Sequence, residues 1–192
     1  MTTRRLQLLL LTLCIAGSSA SADTIQVDPS STTVTVGETF SLDVDVSNMS
    51  DLYAYQFDLT FTPGVLSATN VSEGPFLASG GTTFFLPGTI DNVGGTITFN
   101  ADTLIGAISG VSGSGTLAVF DFEALAAGPS PVTLANVLLF DSTGASIIPS
   151  STGGSIVTVE NASSVPEPAL AALVGTVLVG LLMYRRRRAS RG

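Results

Sequence analysis

Between Phe40 and Val46 the chain alternates without a break: Phe40, Leu42, Val44 and Val46 are apolar, while Ser41, Asp43 and Asp45 are polar. A period of two puts the apolar side chains on one face of an extended strand and the polar ones on the other. Tyr53, Tyr55, Phe57, Leu59 and Phe61 repeat the pattern within Leu52 to Phe61. Similar Thr-, Val-, Ile- and Phe-rich segments run Thr24 to Val27, Thr33 to Val36, Val65 to Val71, Thr82 to Leu86 and Thr96 to Asn100. Others are Thr116 to Leu125, Val132 to Phe140 and Ser155 to Val159. Together these are about ten strands with Gly, Pro, Ser or Asn clusters between them. No stretch sustains a 3.6-residue period, so little helix is expected. The pattern predicts an all-β chain folded as one jelly-roll-type sandwich.

One segment breaks step. From Gly115 to Ala124, the side chains of Phe120, Phe122 and Ala124 share a face and Leu117 falls out of phase. A β-bulge near Ala118 would return Leu117 to the core side.

Charge excludes whole classes of function. All seven basic residues are Arg, and they lie at the ends: Arg4, Arg5, Arg185, Arg186, Arg187, Arg188 and Arg191. The fifteen acids lie between Asp23 and Glu167. A body without Lys or Arg cannot neutralise phosphates, so nucleic acid is not an expected partner. With no His, and Cys14 as the only cysteine, Ser-His, Cys-His and zinc chemistry are excluded. At 45% apolar residues the chain is not a disordered acidic polymer.

The two ends read as addresses. Residues 1–22 form a secretory leader, with Arg4 and Arg5, an apolar run from Leu6 to Ile15, and a cleavage site at Ala20-Ser21-Ala22. Removing it leaves no cysteine, so packing alone must hold the exported domain. Residues 23–160 form that domain, and 161–164 a short linker. Residues 165–192 hold Pro166-Glu167-Pro168, an uncharged run from Ala169 to Tyr184, and the basic tail 185–191. As a helix, the sixteen residues 169–184 would span about 24 Å, slightly less than the roughly 30 Å hydrocarbon core. The positive-inside rule places Arg185 to Arg188 in the cytoplasm and the acidic body outside.

This tail resembles the PEP-CTERM sorting signal in the order of its three parts: Pro166, Glu167 and Pro168, then the apolar helix, then Arg185, Arg186, Arg187 and Arg188. The resemblance implies recognition by an exosortase, a membrane transpeptidase-like protease of Gram-negative bacteria. It further implies an inner-membrane-anchored precursor facing the periplasm, then a place at the cell surface or in an extracellular matrix of a host that makes exopolysaccharide or biofilm.

The body resembles the cohesin family. The residues that carry the likeness are Val34-x-Val36-Gly37-Glu38-x-Phe40, Leu52-x-Ala54-Tyr55-Gln56-Phe57-Asp58-Leu59-x-Phe61 and Pro63-Gly64-Val65-Leu66. They continue with Gly113-x-Gly115-x-Leu117-x-x-Phe120-x-Phe122 and Pro131-Val132-x-Leu134. Thr62 stands where the family usually has Asp before Pro63, and residues 74–105 match only loosely. The resemblance implies a sandwich of about nine strands that docks a dockerin-type protein or binds an extracellular polysaccharide.

Six residues are the candidates for a ligand face: Asp43 and Asp45 on one strand face, Asp121 and Glu123 on another, and Tyr53 and Tyr55. Paired carboxylates serve glycoside hydrolysis, but they need set separations and usually aromatic platforms, and the body has no Trp and only two Tyr. Calcium would suit clustered oxygens, but no Asp-x-Asp-x-Asp-Gly loop exists, so no cofactor is expected. Alternating acids on a strand are ordinarily a solvated face. Tyr53 and Tyr55 fall in phase with Phe57 and Leu59, which favours core or rim over a sugar platform. Asn48-Met49-Ser50, Asn70-Val71-Ser72 and Asn161-Ala162-Ser163 fit the glycosylation pattern, which Ser-rich chains often produce by chance. The expectation is a non-enzymatic, exported surface or matrix binding protein. A polysaccharide-degrading enzyme and a permanently anchored structural protein are the alternatives.

Overall fold

The structure, a computed structural model, describes residues 22–162. The leader through Ser21 with Ala20, the Pro-Glu-Pro motif, the 169–184 span and the Arg cluster lie outside the described residues. Among the described residues no helix is long and apolar enough to cross a membrane.

Eleven strands and one helical turn follow in order: β1 (Thr24–Pro29), β2 (Thr33–Thr35), β3 (Thr39–Thr60), β4 (Leu66–Glu73), α1 (Pro75–Ala78), β5 (Thr89–Asp91), β6 (Thr96–Thr103), β7 (Val111–Ala124), β8 (Gly128–Asp141), β9 (Ser146–Ile147), β10 (Ser151–Gly153) and β11 (Ser155–Glu160). The two alternating segments at Phe40–Val46 and Leu52–Phe61 are halves of one bent strand, β3. The bend sits where Asn48 and Asp51 adopt positive φ, 57° and 58°. The hydroxyls of Ser114 and Ser112 accept the N–H groups of Asn48 and Asp51 there, both at 3.0 Å. Thr82 to Leu86 is not a regular strand. It is bridged at Thr83–Leu104, just past β6, and at Leu86–Ala101 of β6.

The bend lets β3 serve two layers. Its first half pairs with β1 and β7, and β4 and β10 extend that layer. Its second half pairs with β6 and β8, and β5 and β9 extend the other. The start of β8 pairs with β11, which runs parallel to β2.

The apolar faces meet between the layers. Phe57 of β3 lies against Phe120 of β7, with ring centroids 6.1 Å apart. Phe61 meets Phe122 edge-on at 5.2 Å, and Phe40 stacks on Phe122 at 5.8 Å. Phe57, Phe120 and Phe122 are fully buried, and each stabilises the fold by about 1.5–3 kcal/mol. The bulge predicted near Ala118 is present: Val44 pairs with Ala118 and Asp45 with Thr116, so Leu117 is the extra residue. Leu117 and Ala118 are both buried.

Candidate functional site

The four acidic candidates come together on the outer face of the β1-β3-β7-β4 layer. Asp43 and Asp45 project from β3 opposite Val119 and Thr116, and Asp121 and Glu123 project from β7 opposite Ser41 and Thr39. Asp28 of β1 lies directly across from Asp43. Burial, followed by the charges of Asp45 and Asp28, raises the Asp43 carboxyl above its ordinary range. Asp45 Oδ1 accepts from Thr116 Oγ1 at 2.7 Å, and Asp121 Oδ2 accepts from Asn70 Nδ2 at 3.1 Å. Like charges directly opposed on a strand pair repel, and among the described residues there is no Lys, Arg or His to draw them into a site. No group of three or more His, Cys, Asp or Glu able to hold a metal occurs among the described residues.

The two tyrosines do not join that face. Tyr55 is buried between the layers, stacked on Phe57 at 5.5 Å. It lies on no surface, so it is not a ligand-face residue. Tyr53 is half-buried, and its hydroxyl donates to the Gly106 carbonyl at 2.5 Å.

The other layer carries a different surface. Ala54, Gln56, Asp58 and Thr60 alternate outward from β3, flanked by Phe140, Leu138, Ala135 and Thr133 of β8 and by Thr103 and Ala101 of β6. A shallow, almost wholly apolar groove of about 200 Å³ crosses this face, lined by Phe84, Leu86, Phe99, Ala101, Leu138 and Phe140. Phe84, Phe99 and Leu138 are 58%, 56% and 45% exposed. Large apolar side chains left in water together on a flat sheet mark a surface made to be covered.

Sequence reasoning missed this groove, although a signal was present. Phe84-Phe85 and Leu138-Leu139-Phe140 are adjacent apolar residues, and on a strand neighbours cannot all face one core. Leu139 faces inward, and Leu138 and Phe140 therefore face out.

Asp58, beside the groove, is bonded to both neighbouring strands of β3. At this point both neighbours of β3 bulge: Phe57 pairs with Asn100 and Leu59 with Ile97, leaving Thr98 and Phe99 unmatched. On the other side Gln56 pairs with Leu138 and Asp58 with Ala135, so Asn136 and Val137 together face the single residue Phe57. Phe99 and Asn136 take positive φ, 60° and 50°. Asp58 Oδ1 accepts the N–H of Phe99 at 2.7 Å, and Oδ2 accepts from Asn136 Nδ2 at 2.6 Å. A bulky residue in the left-handed region costs about 1–2 kcal/mol. The strand geometry bears that cost to hold a phenyl ring in solvent.

Beneath the groove, on the inner side of β6, lie two buried polar side chains, Asn100 and Asp102. Burial, then the charge of Glu73, pushes the Asp102 carboxyl up to about 7.

The fold is a two-layer all-β sandwich with an apolar strip across one sheet face. Residues 25–159 match the family model of the cohesin domain. The chain belongs to the cohesin family. None of the curated proteins matches the sequence. Among solved structures, it is similar to a non-cellulosomal cohesin of the archaeon Archaeoglobus fulgidus, with TM-score 0.58 and 18% identity, covering 73% of this chain and 92% of that one. It is also similar to the sixth cohesin of scaffoldin B from Acetivibrio cellulolyticus, solved in complex with a dockerin (TM-score 0.56, 14% identity, 74% and 100% covered). A cohesin module from a family 33 glycoside hydrolase of Clostridium perfringens gives TM-score 0.59 at 9% identity, covering 73% and 98%.

Proposed function

We propose that this cohesin domain docks a dockerin-like protein module and is not an enzyme. The observation that carries this reading is the exposed apolar groove, with Phe99 and Leu138 on the sheet and Phe84 beside it standing in solvent. Covering such residues is what supplies affinity at protein interfaces, where aromatic anchors dominate. The dockerin complex of the Acetivibrio cellulolyticus relative supports the choice of partner. An extracellular polysaccharide is the weaker alternative, because Tyr53 and Tyr55 do not form an exposed line.

In the same reading, the leader exports the domain, and the helix 169–184 holds the precursor in the inner membrane. An exosortase-type enzyme then acts near Pro166, Glu167 and Pro168, and the domain reaches the cell surface or matrix. The likeness of the tail to a sorting signal supports this route, and mass spectrometry of the mature C-terminus in its own host tests it. A chain ending near Pro168 is expected; retention of Arg185 to Gly192 on nearly all copies contradicts it.

Calorimetric titration with the dockerin modules encoded in the same genome, beside soluble exopolysaccharide, tests the docking. One-to-one binding of at least one dockerin is expected. Binding of polysaccharide alone overturns the reading.

A further inference from the structure

Acidic residues bracket the groove along the direction of β3. One row of its lining is Leu138, Gln56 and Ala101, and the next is Phe140, Ala54 and Thr103. Asp58 stands one step before the first row. One step beyond the second, Asp141 pairs with Leu52, and Asp51 precedes Leu52 in the chain. Asp51 Oδ2 accepts from Ser142 Oγ at 2.6 Å, which draws Asp51 beside Asp141. All three carboxylates are partly exposed. From Asp58 to Leu52 the extended strand covers roughly 20 Å.

These groups are charged and still able to accept. Ser142, then Gly110, hold the Asp51 carboxyl below its ordinary range, and Thr143, then Ala145, do the same for Asp141. A carboxylate offers about four lone-pair sites. Asp58 accepts one bond at each oxygen, from Phe99 and from Asn136. Thr143 and Ala145 all bond the same oxygen of Asp141, Oδ1.

A standard protein interface covers about 800 Å² on each partner, so a module seated on the groove reaches both sides of it. A neutral surface there would strip water from the carboxylates and give nothing back. The domain supplies no remedy, since residues 23–164 contain no Lys, Arg or His. A second copy of the chain would bring the same acids and be repelled. We propose that the docked module is basic, with Lys or Arg side chains on both sides of an apolar ridge, roughly 20 Å apart, meeting Asp58 on one side and Asp51 with Asp141 on the other. This rests on the groove being the docking site, and it names the chemistry of what docks there. Charges at the rim of an interface act chiefly on the rate of encounter and its dependence on salt.

Stopped-flow mixing of the full chain, in mild detergent, with each dockerin module encoded in the same genome tests the proposal. A module that binds should carry Lys or Arg on both sides of its apolar contact residues. Its on-rate should fall about ten-fold between about 20 and about 300 mM NaCl. The double change Asp58→Asn, Asp141→Asn keeps an acceptor oxygen at each position. It should slow association about five-fold at low salt and flatten the salt dependence. The double change Asp43→Asn, Asp121→Asn removes the same charge from the other layer and should slow it less than two-fold. A native on-rate constant within two-fold across that salt range overturns the proposal, whether or not the variants fold. Equal slowing by the two double changes also overturns it, because net charge would then be the cause. If a module binds without salt dependence, docking stands and this inference alone falls. If no module binds, the docking reading itself fails and takes the inference with it.

Discussion

The hydroxyl of Tyr55 donates to the carbonyl oxygen of Leu117 at 2.8 Å, joining the centre of β3 to the bulge in β7. As the extra residue of the bulge, Leu117 has no partner in the β3 ladder. Its carbonyl also accepts the N–H of Gly74 at 2.8 Å, so one irregularity holds β3, β7 and the turn into α1 together. Gly74 is required there: a Cβ would meet the Thr116 carbonyl oxygen and approach Leu117 C to 2.7 Å.

Tyr55→Phe keeps the ring and the Gly74 bond. It should cost about 1 kcal/mol, the net worth of one hydrogen bond. Tyr55→Ala also empties a fully packed site between Phe57 and β7 and should cost about 3–5 kcal/mol. Urea denaturation of the two variants checks the difference.

Stability should peak in mildly acidic solution. The Asp102 carboxyl, held at about 7 against an ordinary 3.8, contributes stability that is complete below about 3.8 and lost as pH rises through about 7. Asp51 and Asp141 act oppositely. Ser142 and Gly110 hold the first low, and Thr143 and Ala145 the second, so their contribution vanishes as pH falls below the ordinary carboxylate value. Thermal melts should therefore be highest between about pH 4 and about pH 6. From there to about pH 8 the loss should be on the order of 1–2 kcal/mol after allowance for solvent screening. A melting temperature that climbs from pH 5 to pH 8 contradicts this.

Salt should stabilise the domain. Residues 23–164 carry fourteen acids and no base, and Asp28, Asp43 and Asp45 crowd one face. Raising NaCl from about 20 to about 300 mM shortens the Debye length and relieves that repulsion. The melting temperature should rise by a few degrees; a fall over this range runs against the charge map.

Phe99 and Asp58 separate stability from docking. Phe99→Gly removes a left-handed phenylalanine and should leave stability unchanged or raise it by about 1 kcal/mol. Asp58→Ala abandons both bulges and should cost about 1.5–3 kcal/mol. Both should weaken docking. A Phe99→Gly protein that is strongly destabilised would show the residue to be structural.

The sandwich could be read from the chain because alternation is a local signal, and each strand declares its buried face. The bulge at Leu117 was legible for the same reason, since one residue out of phase has few remedies. Continuity of β3 was not: Asn48-Met49-Ser50-Asp51 reads as a turn, yet the chain bends through it on two left-handed residues and stays paired. Asp43 with Asp45, and Asp121 with Glu123, were recognisable as two polar strand faces, but alternation says neither that the two strands pair nor which outer face matters. The groove needed partners far apart in sequence, Phe84, Phe99 and Leu138, brought side by side by the sheet.

On the proposed reading the groove, not the acidic face, is the docking surface. Titrating a bound dockerin module against Leu138→Asp and against the double change Asp43→Asn, Asp121→Asn decides it most directly. A charge set in the apolar groove should weaken binding by about 2 kcal/mol or more, roughly thirty-fold, with the fold intact by circular dichroism. The acidic-face protein should bind as the native chain does. Loss of binding in the acidic-face protein, with Leu138→Asp unaffected, would contradict the account.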